Sequence, residues 1–286
     1  MKTTGRDACR GSRSHEARPL ERVVLGGGIV VWQSLQLREH RVTHAFTTRH
    51  GGQSAGDKAS LDLAGRGSRE GADLVAAESN ERALREQLGV PDSDRTLLLH
   101  QVHGRELVVD EGAPRAWPPP RADILVSDRP DGFLMVRVAD CVPILLHDPD
   151  SGAVAAIHSG WRGTVADAPG AAIESLRRHH GSDPGHLIAA IGPAIGVEHF
   201  EVGEEVARAF TDSGLEDCIR ADQPRPHIHL HDAVRRRLLQ HGLEQRHIDG
   251  EPICSHANAS DCFSYRRDGP DGGRMAAVIK AVKNTP

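Results

Sequence analysis

The apolar positions of this 286-residue chain fall into short runs separated by glycine, proline and aspartate, and the period of each run predicts its element. "LGGGIVVWQSLQL" reads as a turn feeding a strand, with ordered structure expected from about Gly26. "VTHAFTTRHGG" (42–52) reads as a strand running into a glycine turn. "GADLVAAESNERALREQLGV" (71–90) has helical spacing and stops at Gly89. Strands follow at "RTLLLHQVHG" (95–104), "ELVVD" (106–110), "ADILVSD" and "FLMVRVAD", with the proline-rich "APRAWPPPRAD" as loop. A helix is expected from about Pro169, then a strand at "HLIAAIG" and helices at "VGEEVARAF" and "HDAVRRRLLQHG". "CFSYRRDGPDGGRMAAVIKAV" predicts a closing hairpin around a glycine-rich turn. Strands in hairpin-like pairs with irregularly inserted helices predict an α+β protein with mixed, largely antiparallel sheets.

The stretch "VADCVPILLHDPDSGAVAAIHSGWRG" holds two apolar runs around the turn "DPDSG". Pairing residues 142–147 with 153–157 about Asp150 sets Cys141 opposite, or nearly opposite, His158, with Cβ atoms about 5 Å apart. A thiolate and an imidazole at that separation can share a metal ion or act as a nucleophile and its base. A buried cysteine beside a capping histidine fits the same pattern. Asp140, the preceding residue, can orient a ligand or substrate, or cap a turn.

Composition narrows the classes. Apolar residues make up 38% and charged residues 26%, as in a soluble globular protein with a sizeable core. Net charge is −5 and the aromatic share is 3%, which argues against nucleic acid and anionic membranes as partners. No apolar stretch approaches a membrane span. Residues 1–25 read as an N-terminal tail without a signal-peptide core, and 26–286 as a single catalytic domain. Five scattered cysteines without a CxxC pair predict a reducing cytoplasm. "HIHLH" (227–231) alternates histidines as a copper strand does but runs into a predicted helix, which favours solvated side chains over a built site. His100 points to the opposite face from His103 if their strand is regular.

"HQVHG", "ADCVPILLHDP", "AAIHSGWRGT", "IGPAIG…FEVG" and "CFSYRRDG…GRMAAVI" occur in order and together resemble the bacterial YfiH/YlmD family. That family is also called the polyphenol-oxidase-like laccase domain or peptidoglycan editing factor. The resemblance runs from about Arg41 to Lys283. It implies a single α/β/β/α layered sandwich and one Zn2+ ion, copper being the lesser candidate, held by His103, Cys141 and His158. Spacings of 38 and 17 residues are too wide for a zinc knuckle, and three protein ligands leave a fourth position open for water or substrate.

Around the metal, Arg49 of "TTRHGG" matches the family's substrate-pocket loop, although a solvated loop arginine fits as well. Arg162 precedes a helix and can cradle an anion. Arg266 and Cys262 belong to the last motif and are expected at the pocket, with Cys141, Arg49 and Asp140 as the catalytic set. Two departures bear on fine contacts. Asp62 of "SLDL" stands where the family usually has asparagine, and its Asn-Arg pair is spread over Asn80 and Arg82.

The resemblance implies a purine-nucleoside enzyme, taking a nucleoside and phosphate, that phosphorolyses adenosine, inosine, guanosine and methylthioadenosine and deaminates adenosine. The alternative is an amidase that removes misincorporated serine from a nucleotide-linked muropeptide. Copper-dependent polyphenol oxidation ranks lower, because one Cys/His2 set is not a multi-histidine array. A non-catalytic nucleotide-binding domain would bind without turnover. A monomer or homodimer is expected.

Overall fold

The computed structural model describes residues 18–65, 68–113 and 117–283, so residues 1–17 of the expected tail lie outside the described residues. Two six-stranded sheets form its centre. The first runs in the order β1 (Glu21–Val24), β2 (Val30–Gln33), β3 (His44–Thr47), β14 (Met275–Lys280), β7 (Gly132–Val138), β4 (Arg95–Leu97). The second runs β13 (Ile248–Asp249), β10 (Ile188–Ile191), β8 (Val142–His147), β9 (Val154–Ser159), β6 (Ile124–Ser127), β5 (Leu107–Val109). A short ribbon pairs β11 (Ile219–Arg220) with β12 (His227–Ile228). Parallel pairing occurs at β4, β5 and β13, each at a sheet edge, and the remaining sheet pairs are antiparallel.

Alternation along the central strands builds the layers. In β7, Phe133 and Met135 face outward onto Leu84 of α2 (Gly71–Gln87), while Leu134, Val136 and Val138 face the second sheet. From that sheet, Leu125, Leu145, Ala156 and Ala190 meet them. Its other face carries Ile124, Ile144 and Ile157 against α4 (Ala168–His180), α5 (Glu204–Asp212) and α6 (Leu230–Gln240). The result is the expected α/β/β/α sandwich. Short helices α1 (Leu35–Glu39), α3 (Trp161–Val165) and α7 (Tyr265–Asp268) complete the chain, and no helix among the described residues is long and apolar enough to cross a membrane.

Three expectations are corrected. The first strand precedes Gly26: β1 pairs with β2 across the triple glycine, whose Gly27 and Gly28 take φ of 65° and 75°, so the glycines close a hairpin rather than start one. The strand expected over 95–104 is regular only through Leu97. The closing hairpin does not form, because Ser264 caps a single helical turn at α7, its Oγ accepting the Arg267 N–H. The Asp268 carboxylate in turn accepts the Ser264 N–H, and β14 then enters the first sheet between β3 and β7.

Candidate metal centre

The β8–β9 loop closes with the Asp148 N–H donating to the Ala153 carbonyl at 2.9 Å, and this fixes the register with Pro143 facing His158. That is one step from the expected register. Cys141 therefore lies diagonal to His158 on the same face, the one turned toward the other sheet. Continued, the register sets Cys141 beside Gly160, where a Cβ would stand 2.8 Å from the Cys141 sulfur and 3.2 Å from His103 Cδ2. The missing side chain makes room for the thiol and the third ligand.

His103 arrives from outside the hairpin. Asp123, wholly buried just before β6, holds it there. The backbone N–H groups of Val102, His103 and Gly104 donate to the Asp123 carboxylate at 3.2, 2.9 and 2.7 Å. They bend the chain so that His103 takes φ of 62°. The same carboxylate accepts from His158 Nδ1 at 2.7 Å. That bond puts the proton on Nδ1 and leaves His158 Nε2 as the free donor atom. The His103 and His158 rings meet edge-on, centroids 4.8 Å apart, and the possible ligand atoms of His103, Cys141 and His158 lie within 4.8 Å of one another. A tetrahedral ion with these ligands would space them roughly 3.5 Å apart, so small rotations suffice.

The electrostatics match a thiolate ligand. Burial alone would raise the Cys141 thiol, but His158 and His103 bring it down to about 6. Burial also opposes charge on His158, yet Cys141 and Asp123 lift it to about 9. Burial works against ionised Asp123 too, and the bonds from His158 and Gly104 hold its carboxyl below the usual range.

A cavity of about 670 Å³ opens over the three ligands. Of the other expected site residues, Asp140 and Arg266 line it. Asp140, at φ of 85°, has both carboxylate oxygens engaged: Ser255 Oγ donates at 2.6 Å and the Arg266 backbone N–H at 2.7 Å. The Arg266 guanidinium donates to the neutral carbonyls of His199 and Glu201.

Arg49, Asp62, Arg162 and Cys262 are not among the lining residues. Arg49 is spent on the Ala59 and Ala259 carbonyls at 2.9 and 3.0 Å. Asp62 is buried and pairs with Arg69 at 2.6 Å. Arg162 is exposed with its guanidinium 4.3 Å from the Trp161 ring centre, and Cys262 is fully buried, its thiol pushed up to about 12 by burial. His100, expected on the opposite face from His103, lines the same cavity because the strand has already ended. "HIHLH" is divided between β12, the cap of α6 and its first turn.

Sequence reasoning passed over Asp123, Gly160, Gln101, Arg274 and Tyr265. Gln101, inside "HQVHG", exchanges two 2.8 Å hydrogen bonds with the Arg137 backbone and so anchors the His103 segment to β7. Arg274 and Tyr265, the chain's single tyrosine, stack at 5.5 Å on the cavity wall. An acid directly ahead of a fully apolar run was the available signal for Asp123.

The chain matches the multi-copper polyphenol oxidoreductase laccase family over residues 43–282. It is 39% identical to a purine nucleoside phosphorylase of Deinococcus radiodurans, over 83% of this chain and 88% of that one. It is 34% identical to the purine nucleoside phosphorylase YfiH of Shigella flexneri, over 83% and 93%. Among solved structures, YlmD from Geobacillus stearothermophilus superposes with a TM-score of 0.81 at 28% identity, covering 91% of this chain and 99% of that one.

Proposed function

The chain belongs to the multi-copper polyphenol oxidoreductase laccase family, and we propose that it is a zinc-dependent purine nucleoside enzyme. Its reactions on this reading are phosphorolysis of adenosine, inosine, guanosine and methylthioadenosine, and deamination of adenosine. One observation carries the reading: a three-donor centre of His103, Cys141 and His158 at a cavity edged by arginines and aromatic rings. The relatives named purine nucleoside phosphorylase support it. Two imidazoles and a low-pKa thiol suit Zn2+, and one such set is too few for multi-copper oxidation. When bound, the ion would supply a Lewis acid and an activated water, as attack at purine C6 requires.

The chain's own residues do the rest. Arg266 and Arg274, on the cavity wall, hold phosphate against ribose C1′ with the N–H groups left over from their bonds to the His199, Glu201, Pro270, Gly272 and Gly273 carbonyls. Tyr265 and Phe200 offer apolar faces to the base. Asp140, with both oxygens bonded, positions Cys141 and Arg266 rather than shuttling a proton. Arg49 and Asp62 act one layer behind, Arg49 on the Ala59 and Ala259 carbonyls and Asp62 on the Arg274 backbone N–H, fixing the loops that carry the wall.

The test is incubation of zinc-loaded protein with adenosine, with and without phosphate, products identified by mass, and Cys141→Ala in parallel. Phosphate-dependent adenine and ribose 1-phosphate, or inosine, lost in the variant, is the expected result. Folded, zinc-loaded protein that leaves nucleosides intact but hydrolyses a nucleotide-linked muropeptide overturns it in favour of the amidase.

A further inference from the structure

A second thiol–imidazole pair lies apart from the metal ligands. The Cys254 sulfur accepts the N–H groups of Gly196 and Ala257 at 3.2 and 3.3 Å and stands 3.5 Å from His199 Nδ1. His199 is itself stacked on His256, ring centroids 4.2 Å apart. A Cβ at Gly196 would come within 3.1 Å of that sulfur, so the glycine leaves room for the thiol. Cys218 and Cys262 are fully buried, and burial pushes their thiols up to about 11 and 12. Cys254 is only half-buried. It is not part of the metal-ligand group.

Cys254 opens onto a cavity of about 310 Å³ whose wall includes Val197, Leu230, Pro252 and Ile253. His231 stands in the same wall, 6% exposed, with neither ring nitrogen hydrogen-bonded. Burial holds that ring neutral, its pKa down at about 3, so it presents one donor and one acceptor without partners. A buried imidazole left in this state is rare, and a ligand carrying an oxygen would satisfy it. The first turn of α6 also lines the cavity, its positive helix end offset by Asp232 in the same turn, with Glu198 nearby on the wall.

We infer that this cavity binds small apolar electrophiles bearing a conjugated carbonyl, and that Cys254 captures them covalently with His199 as its proton relay. The apolar wall selects the hydrocarbon part, and His231 receives the carbonyl oxygen. The Cys254 proton passes to His199, and sulfur bonds to the β-carbon. The C=C π pair moves onto the α-carbon and carbonyl oxygen, and His199 returns the proton to the α-carbon. The product is a saturated thioether, and nothing is oxidised or reduced. This site stands whether or not nucleosides are the substrate of the metal centre.

The test treats the zinc-loaded full chain with limiting N-phenylmaleimide and maps the adduct by peptide mass. Cys254 should be labelled first. The rate, normalised to that of glutathione, should exceed the rate for a carboxylate-bearing maleimide by tenfold or more. His199→Gln should slow labelling at least fivefold and remove the imidazole inflection from its pH profile. His231→Leu, which removes the unbonded ring that receives the carbonyl oxygen, should fold, slow labelling by N-phenylmaleimide at least threefold and keep the preference for the apolar probe. Labelling spread over Cys9, a normalised ratio near one, or an unchanged pH profile in His199→Gln would each overturn the inference.

Discussion

His147 and His158 sit at the two ends of one hairpin, on the same face of the same sheet, and each is 3% exposed. Their proton affinities diverge. Burial takes His147 down to about 4, with His40 adding to the effect, and its Nδ1 has no partner. His158 is equally buried, but Cys141 and Asp123 lift it to about 9. Burial by itself makes a neutral, structural histidine. What sets its counterpart apart is the Asp123 carboxylate, delivered from the start of a third strand, which fixes the tautomer and leaves one nitrogen open to a metal ion.

The largest test of that contrast is Cys141→Ala, in which bound zinc, measured by elemental mass spectrometry, should fall from one per chain to background, and turnover with it. Next comes acid. His147 and His44 are both held near 4, and His44 Nε2 must stay unprotonated to accept the Ser34 N–H at 2.9 Å. Below pH 6.5 the unfolded chain therefore binds protons that the folded chain refuses. Stability should fall by about 1.4 kcal/mol per pH unit for each ring down to about pH 4. His147→Leu should remove one such share from chemical-denaturation curves at pH 5 and leave zinc affinity untouched.

Asp123→Asn should weaken zinc binding roughly 10- to 100-fold, read by competition with a chelating dye. Unchanged affinity would break the comparison, because His158 would then need no partner that His147 lacks. The smallest effect is expected from Gly160→Ala, whose Cβ presses on the Cys141 sulfur. A loss of about tenfold in affinity, roughly 1.4 kcal/mol, would show that the space beside the thiol matters.

Local pattern carried the hairpin, the amphipathic helices and the mixed, largely antiparallel sheets, since alternation and turn chemistry act over neighbouring residues, whereas the layer order came from the motif resemblance. The one-step register error arose because "DPDSG" marks a turn without specifying which residues close it, and the Asp148–Ala153 pair decides. Ser264 reads as strand by its apolar neighbours, yet its hydroxyl competes for the Arg267 N–H and starts a helix instead. The grouping of His103, Cys141 and His158 was legible through the motif resemblance, and their donor atoms do come together. Asp123 was not, for its partners are the backbone of residues 102–104 and a ring 35 positions away. Arg49 was misjudged as pocket-lining for the opposite reason: a motif position names a residue but not where its guanidinium is spent.

The placement of β14 bears on how the chain is made. This strand, over Met275–Lys280, is inserted between β3 and β7 in the middle of the first sheet. During synthesis, β1–β3 and the β4–β7 pair therefore wait as two fragments with open hydrogen-bonding edges until residue 280 has left the ribosome tunnel. The sheet that backs the hairpin of Cys141 and His158 closes as a late event, and a chain truncated before that point has both edges free to pair with a neighbour.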